Sequence, residues 1–253
     1  MLSDLHLETQ GLYETFEIPS AAKYLILAGD IGRLCDTDRF LGFLDRHQKH
    51  FERIFLVLGN HEFYGLTREE GLEIATSFER QLSGKLVLMN RTVIDIGYRV
   101  TLLGCTLHSY IDPRHFDEVA CKVKDFTRIK SWGPADHNNE HAQDVVWLQQ
   151  QMKAIHWSRR IIICTHHAPT FHGTIDPRHG TAIAANSAFA TELISGDTKW
   201  RRGTVWIYGH THYNGNQKRK GVIIRSNQRG YFQTSGSERP TGNDFNVKFT
   251  INV

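Results

Sequence analysis

Two imidazoles stand two residues apart in Ile207-Tyr208-Gly209-His210-Thr211-His212, directly after the apolar run Thr204-Val205-Trp206. In extended chain, residues i and i+2 point the same way, so both rings are expected to face one pocket. Alone, a His-x-His after a strand is more often a half-buried polar edge than a pair of ligands. Here the same grammar recurs in Asp4-Leu5-His6, in Gly29-Asp30, in Gly59-Asn60-His61-Glu62 and in Thr165-His166-His167. Carboxylate, carboxamide and imidazole together make a mixed oxygen and nitrogen site of borderline hardness. Such a site suits Mn, Fe, Zn, Co or Ni rather than Ca alone. Asp4, His6, Asp30, Asn60, His166, His210 and His212 are too many donors for one small transition ion. Two divalent ions sharing a carboxylate would use them economically, and Asp30, alone at its strand end, is the natural bridge.

These residues must be carried by elements that end together. Lys23 to Ala28 and Arg53 to Leu58 are continuous apolar runs, the pattern of strands buried on both faces. Phe40, Leu41, Phe43 and Leu44 recur at helical spacing between them, over roughly Thr37 to Lys49, with Asp36 as the N-cap. A strand, helix, strand unit of this kind has parallel strands. Arg68 to Leu82 predicts a second helix, and 85–89, 93–96 and 98–105 predict shorter strands. Residues 108–138 look irregular. Glu140 to Trp157 predicts a helix with an apolar stripe of Val145, Val146, Leu148, Met152 and Ile155. Arg160 to Cys164 predicts a buried strand, Asn186 to Ile194 a helix, and 204–208 the strand before the His-x-His. The tail, at 222–226, 230–233 and 246–252, reads as antiparallel strands. In an open, largely parallel sheet the strand C-termini share one edge where ligands bind, so the polar residues should meet there. Only Met1 and Leu2 precede Ser3-Asp4, so the first strand is either very short or begins late relative to related chains.

Composition sets the bounds. The 253 residues, 40% of them hydrophobic, are enough for a large core, and no repeat, linker or low-complexity tract divides them, so one domain spanning 1–253 is expected. A formal charge of +3 with dispersed basic residues gives no nucleic-acid footprint. No run approaches the roughly 18–20 apolar residues of a membrane span, and the N-terminus has no signal-peptide profile. A cytoplasmic location without a membrane partner is therefore expected. Cys35, Cys105, Cys121 and Cys164 are widely separated, which argues against disulfides or a thiolate zinc site. Ile111-Asp112-Pro113-Arg114-His115 recurs as Ile175-Asp176-Pro177-Arg178-His179. The pair reads either as two similar Asp-Pro turns or as a device by which Arg114 and Arg178 reach an anionic substrate.

Asp-x-His, Gly-Asp, Gly-Asn-His-Glu, a His after an apolar strand, and Gly-His-x-His, in this order from Asp4 to His212, resemble the calcineurin-like metallophosphoesterases. The resemblance implies a four-layer αββα sandwich, two mixed β-sheets flanked by helices, with a dimetal site at the strand C-terminal ends. It implies that Asp4, His6, Asp30 and His212 hold one ion and Asp30, Asn60, His166 and His210 the other. His61 would sit on the phosphate as general acid or oxyanion partner. Outside the resemblance, Arg33 reads either as a grip on the phosphate or as a surface salt bridge, and His167 as a further substrate contact. Two dications outweigh the carboxylates and a bridging hydroxide, so a phosphate ester is attracted. Bound water is acidified toward a pKa of about 7, and in-line attack on phosphorus follows.

Three departures limit the resemblance, one of them the short first strand, which puts the rigidity of Asp4 and His6 in doubt. In the protein-phosphatase and cyclic-nucleotide branches an Asp three residues after the bridging Asp orients the histidine; here Arg33 stands there, leaving Asp36, Asp38 and Glu62 as candidates. The purple acid phosphatases place a metal-binding Tyr at the same offset, so no tyrosinate-to-iron colour is expected. A phosphoesterase acting on phosphodiesters or small nucleotide-like esters is the first expectation, with manganese as the trial metal. The alternatives are a phosphomonoesterase or protein phosphatase, a nuclease, and a non-catalytic scaffold on the same fold.

Overall fold

The computed structural model describes residues 1–179, 183–195, 200–231 and 244–252. The chain runs through β1 (Tyr24–Ala28), α1 (Thr37–Gln48), β2 (Arg53–Val57), α2 (Arg68–Gln81) and β3 (Leu86–Leu88). It continues through β4 (Thr92–Ile96), β5 (Val100–Cys105), α3 (Phe116–Lys122), α4 (Asp125–Arg128) and α5 (Pro134–Ala154). The remaining elements are β6 (Arg160–Thr165), α6 (Ile183–Asn186), β7 (Val205–Tyr208), β8 (Asn216–Arg219) and β9 (Val222–Ser226). Strands β1-β2-β3 form a wholly parallel sheet; β4-β5-β6-β7-β9-β8 form a mixed one.

Strand periodicity explains the layering. Successive side chains point to opposite faces. Leu25 and Leu27 of β1 and Ile54 and Leu56 of β2 therefore pack outward on Phe40, Phe43 and Leu44 of α1 and Ala75 and Phe78 of α2. Ala28, Phe55 and Val57 face the other way, onto Leu102, Ile162, Cys164 and Ile207 of the larger sheet. The far face of that sheet, with Leu103, Cys105, Ile161, Ile163 and Trp206, meets Leu148 and Met152 of α5. The result is helices, sheet, sheet, helix, as the resemblance implied. Phe55 and Phe78 are both essentially buried, and truncating either to Ala is expected to cost about 3–5 kcal/mol.

The opening segment is short but tied on both sides. Leu2 pairs with Leu27 and Ser3 with Gln228. Beyond them Asp4 N donates to Gly29 O at 3.0 Å, Gly230 N to Asp4 O at 3.0 Å, and His6 N to Asp30 O at 3.0 Å. Its brevity therefore does not leave Asp4 and His6 loose.

Several expectations need correction. Residues 108–138 are not irregular: they fold into α3, α4 and the start of α5, where Pro134 occupies the first turn. Val146, placed in the apolar stripe, is exposed, because the buried face of α5 runs through His137, His141, Asp144, Leu148 and Met152. The helix expected over 186–194 ends at Asn186; Ala190 instead makes a bridge to Ala168, and Leu193 N bonds Pro169 O. β8, made of the polar run Asn216-Gln217-Lys218-Arg219, has no apolar alternation to announce it. The strand expected at 246–252 is not formed; there Phe249 O accepts the Met1 ammonium at 3.1 Å. The one expected at 230–233 falls largely outside the described residues.

Candidate metal centre

The polar residues do lie at one edge: Asp30 follows β1, Asn60 and His61 follow β2, His166 follows β6, and His210 and His212 follow β7. The reason is not extended chain. Asp4, His6, Asp30, His210 and His212 have φ of 52°, 47°, 53°, 71° and 50°, in the left-handed region that Asp and His tolerate better than most non-glycine residues. Each of these five positions is a local kink, a concentration of backbone strain typical of functional sites, whereas Asn60 has ordinary right-handed helical geometry. Two neighbouring glycines are required by close approach: a Cβ on Gly29 would lie 2.3 Å from His166 Nδ1, and one on Gly59 2.3 Å from Asp30 Oδ1.

The expected ligands form two triads, Asp4, His6 and His212, and Asp30, His166 and His210, and His6 also belongs to a third group with Glu8 and His61. In the first, His6 Nε2 and His212 Nε2 are 2.9 Å apart, and Asp4 Oδ1 is 3.4 Å from His212 Nε2. In the second, Asp30 Oδ1 is 3.3 Å from His166 Nε2. The other oxygen of Asp30 lies 3.9 Å from His6 Nε2, so Asp30 stands between the triads. Asn60 Oδ1 is 3.0 Å from His166 Nε2, and its amide nitrogen donates to Asp125 Oδ1 at 2.8 Å, which fixes which end faces inward. His210 and His212 thus serve different triads while lining one cleft.

The donors are pre-set by outer partners. His166 Nδ1 is 3.0 Å from Ala28 O, so it donates there and turns Nε2 to the centre. Burial disfavours charge on His166, but Asp30 and Asp4 outweigh it and lift its pKa to about 10. His210 goes the other way, pushed down to about 3 by burial and by His166. Burial opposes ionisation of Asp30, yet His166 and His61 hold it well below the usual carboxylate range. His210 Nε2 is buried without a hydrogen-bond partner among the described residues. An unpaired imine nitrogen, two ring nitrogens turned on each other and two buried carboxylates are a donor set that fits divalent cations.

His61 sits beside the triads. Its Nδ1 is 2.9 Å from Glu8 Oε1, and the Tyr231 hydroxyl is 2.8 Å from its Nε2. The three carboxylates weighed from sequence do other work. Glu62 accepts from Gly59 N, Asp30 N and Ile31 N at 2.7, 2.9 and 2.7 Å. Asp36 pairs with Arg33 at 3.2 Å and accepts from the Tyr13 hydroxyl. Asp38 lies in the first turn of α1. Glu8, Asp125, Tyr64 and Tyr231 were not singled out from sequence. Glu8 continues the alternation of Asp4 and His6 and could have been; the others carry no local signal.

Of the expected substrate contacts, His61 and Arg178 line the cleft, which has a volume of about 590 Å³. Arg33 and Arg114 do not line it, and all three arginines are paired with a nearby carboxylate, Arg33 with Asp36, Arg114 with Asp112 and Arg178 with Asp176. His167 is wholly buried behind His166, against His108, His137 and His210. The outer wall is apolar, from Val123, Ile175, Ala185 and Phe189, with Lys122 and Lys124 beside it. Val123 and Phe189 also belong to a small separate core with Ile111, Val119 and Ala188, so the wall is a packed cap.

Residues 1–214 match the sequence pattern of the calcineurin-like phosphoesterases. A protein of Acanthamoeba polyphaga mimivirus, itself uncharacterised, is 28% identical over 271 residues, covering 94% of this chain and 93% of that one. The crystal structure of a phosphopantetheinyl hydrolase from Mycobacterium tuberculosis superposes with a TM-score of 0.68 at 17% identity, over 91% of this chain and 88% of that chain. At that identity the superposition bears on fold alone.

Proposed function

The chain belongs to the calcineurin-like phosphoesterase family, and from that premise we propose that it is a metal-dependent hydrolase of phosphodiesters or small nucleotide-like phosphate esters. The observation that carries this reading is the placing of Asp30 between two ligand triads at the floor of a cleft. Asp4, His6, Asp30 and His212 would hold one divalent ion, and Asp30, Asn60, His166 and His210 the other. Bound there, the ions would supply an acidified water and would neutralise charge on the phosphoryl oxygens.

The chain's own groups do the rest. His61 presents Nε2 to the cleft, and in the metal-free chain Asp30 and Glu8 hold its pKa up at about 9 against the effect of burial. Protonated, it can give a hydrogen bond or a proton to the leaving oxygen. Lys122, Lys124 and Arg178 favour an anion at the mouth, and Val123, Ile175 and Phe189 give an organic substituent an apolar wall. A walled cleft of this size accepts an ester carrying organic groups more readily than a flat phosphoprotein surface, which supports the small-ester reading. Among the described residues no helix is long and apolar enough to cross a membrane.

Hydrolysis of bis-(4-nitrophenyl) phosphate and 4-nitrophenyl phosphate, side by side with added Mn, is the test. Metal-dependent turnover with the diester preferred is expected. A clear preference for the monoester would overturn the diester assignment, and equal turnover after thorough chelation would overturn the metal-dependent reading.

A further inference from the structure

Glu8 touches both halves of the site with a single oxygen. Its Oε1 lies 2.9 Å from His61 Nδ1 and 3.3 Å from His6 Nδ1, and the two rings meet edge to face at 4.4 Å between centroids. The carboxylate is almost wholly buried, and among the described residues its Oε2 has no hydrogen-bond partner, so its bonding there is spent on these two rings. An imidazole that donates from Nδ1 has its lone pair on Nε2 when neutral. The same bond therefore turns His6 Nε2 toward Asp4, His212 and Asp30, and aims His61 Nε2 at the cleft.

No other carboxylate reaches His61 Nδ1 among the described hydrogen bonds: Arg33 occupies the offset where related enzymes carry one, and it is bound to Asp36. Resting on the phosphoesterase reading above, we propose that Glu8 is a positioning residue that couples the two functions. It fixes His6 as a ligand of one ion and, through the same oxygen, sets the orientation of His61 toward the leaving group. A partner behind a metal-ligating histidine of this kind typically changes metal affinity or activity by about 10–100-fold when lost.

The test is Glu8→Gln, isosteric but unable to accept both N–H bonds as an anion. Equilibrium dialysis against Mn should show about 10–100-fold weaker binding at one of two sites. At saturating Mn, kcat should fall by at least about ten-fold in an otherwise wild-type chain. At saturating Mn in a His61→Ala background the same change should alter kcat by less than about two-fold, since the sites that depend on His6 are filled and the ring that Glu8 would aim at the leaving group is gone. The imidazole Nδ1 proton resonance of His61 should also be lost in Glu8→Gln.

Unchanged Mn affinity, or a kcat loss repeated in full without His61, would overturn the proposal. Should the wild type hydrolyse no phosphate ester at all, the phosphoesterase reading fails. The dialysis and the His61 resonance would still decide what Glu8 does. Glu8→Asp, which keeps the charge at shorter reach, should give intermediate Mn affinity and carries the same measurements if Glu8→Gln does not fold.

Discussion

Asp30 and Glu62 clasp each other's strand ends crosswise. Glu62 Oε2 accepts the backbone N–H of Asp30 at 2.9 Å, while Asp30 Oδ1 accepts that of His61 at 2.9 Å. Asp30, proposed above as the shared ligand, is thus positioned by a carboxylate that belongs to neither its own triad nor that of Asp4. Burial and the nearby Asp30 charge push the Glu62 pKa up to about 7. Replacing Glu62 by Ala leaves the N–H groups of Gly59, Asp30 and Ile31 buried without acceptors. A loss of about 3–5 kcal/mol is expected. For a chain of this size that is a drop of roughly 10 °C in thermal midpoint. A drop under about 3 °C on the same scale would mean the clasp is not a structural brace.

Gly59→Ala tests the closeness of the two strand ends. The added methyl would lie 2.3 Å from Asp30 Oδ1 and 2.7 Å from His166 Nε2, so both ligands must move. Displacement of about 1 Å at a reacting centre is worth about 10²-fold in rate. Phosphoesterase activity should fall at least that far while circular dichroism stays native. Full activity in the variant would show the ligands are not held as described.

His61 gives the chelated protein a pH signature. Against the effect of burial, Asp30 and Glu8 hold its pKa up at about 9, above the ordinary imidazole value of 6.5, so the folded state holds the proton more tightly. The contribution, about 2–3 kcal/mol, is fully present below pH 6.5 and fades as pH rises through about 9. With EDTA present, the gap in thermal midpoint between wild type and His61→Ala should narrow from pH 6.5 to pH 9. A gap that widens over that range contradicts the Glu8 and Asp30 environment.

The three arginines should separate kinetically. Arg178 lines the cleft, whereas Arg33 and Arg114 do not. Arg178→Ala is expected to raise KM by roughly three- to ten-fold at low salt, with kcat little changed and the effect shrinking as salt is added. Arg114→Ala and Arg33→Ala should leave KM where it was. Equal effects from all three would indicate a diffuse field rather than a contact.

Asp30→Asn removes the shared anionic donor. Mn content by elemental analysis should fall at both sites, and turnover should drop by about 10³-fold or more, since both ions lose charge compensation. A variant that keeps both ions would remove Asp30 from the bridging position.

The strand ends were legible because buried parallel strands write themselves as apolar runs, and Asp30, Asn60 and His166 each close one. Side-chain geometry was less so. The i, i+2 argument brought Asp4 with His6 and His210 with His212 to the right edge for the wrong reason, since positive φ leaves no mark in a single sequence. The cap over the cleft was missed because α3 and α4 are too short to show a period, and their apolar residues pack on Ala188 and Phe189 far along the chain. Asp125, which orients Asn60, has no sequence neighbour that hints at its task. It reaches the site only because α4 begins there.

The left-handed kinks at Asp4, Asp30 and the histidines set a trap for anyone improving this protein by heat alone. Glycine and asparagine are the residues most at ease in that conformation. A library screened only for survival at high temperature should therefore enrich Gly or Asn at those positions, yielding hardier chains that have forgotten their chemistry.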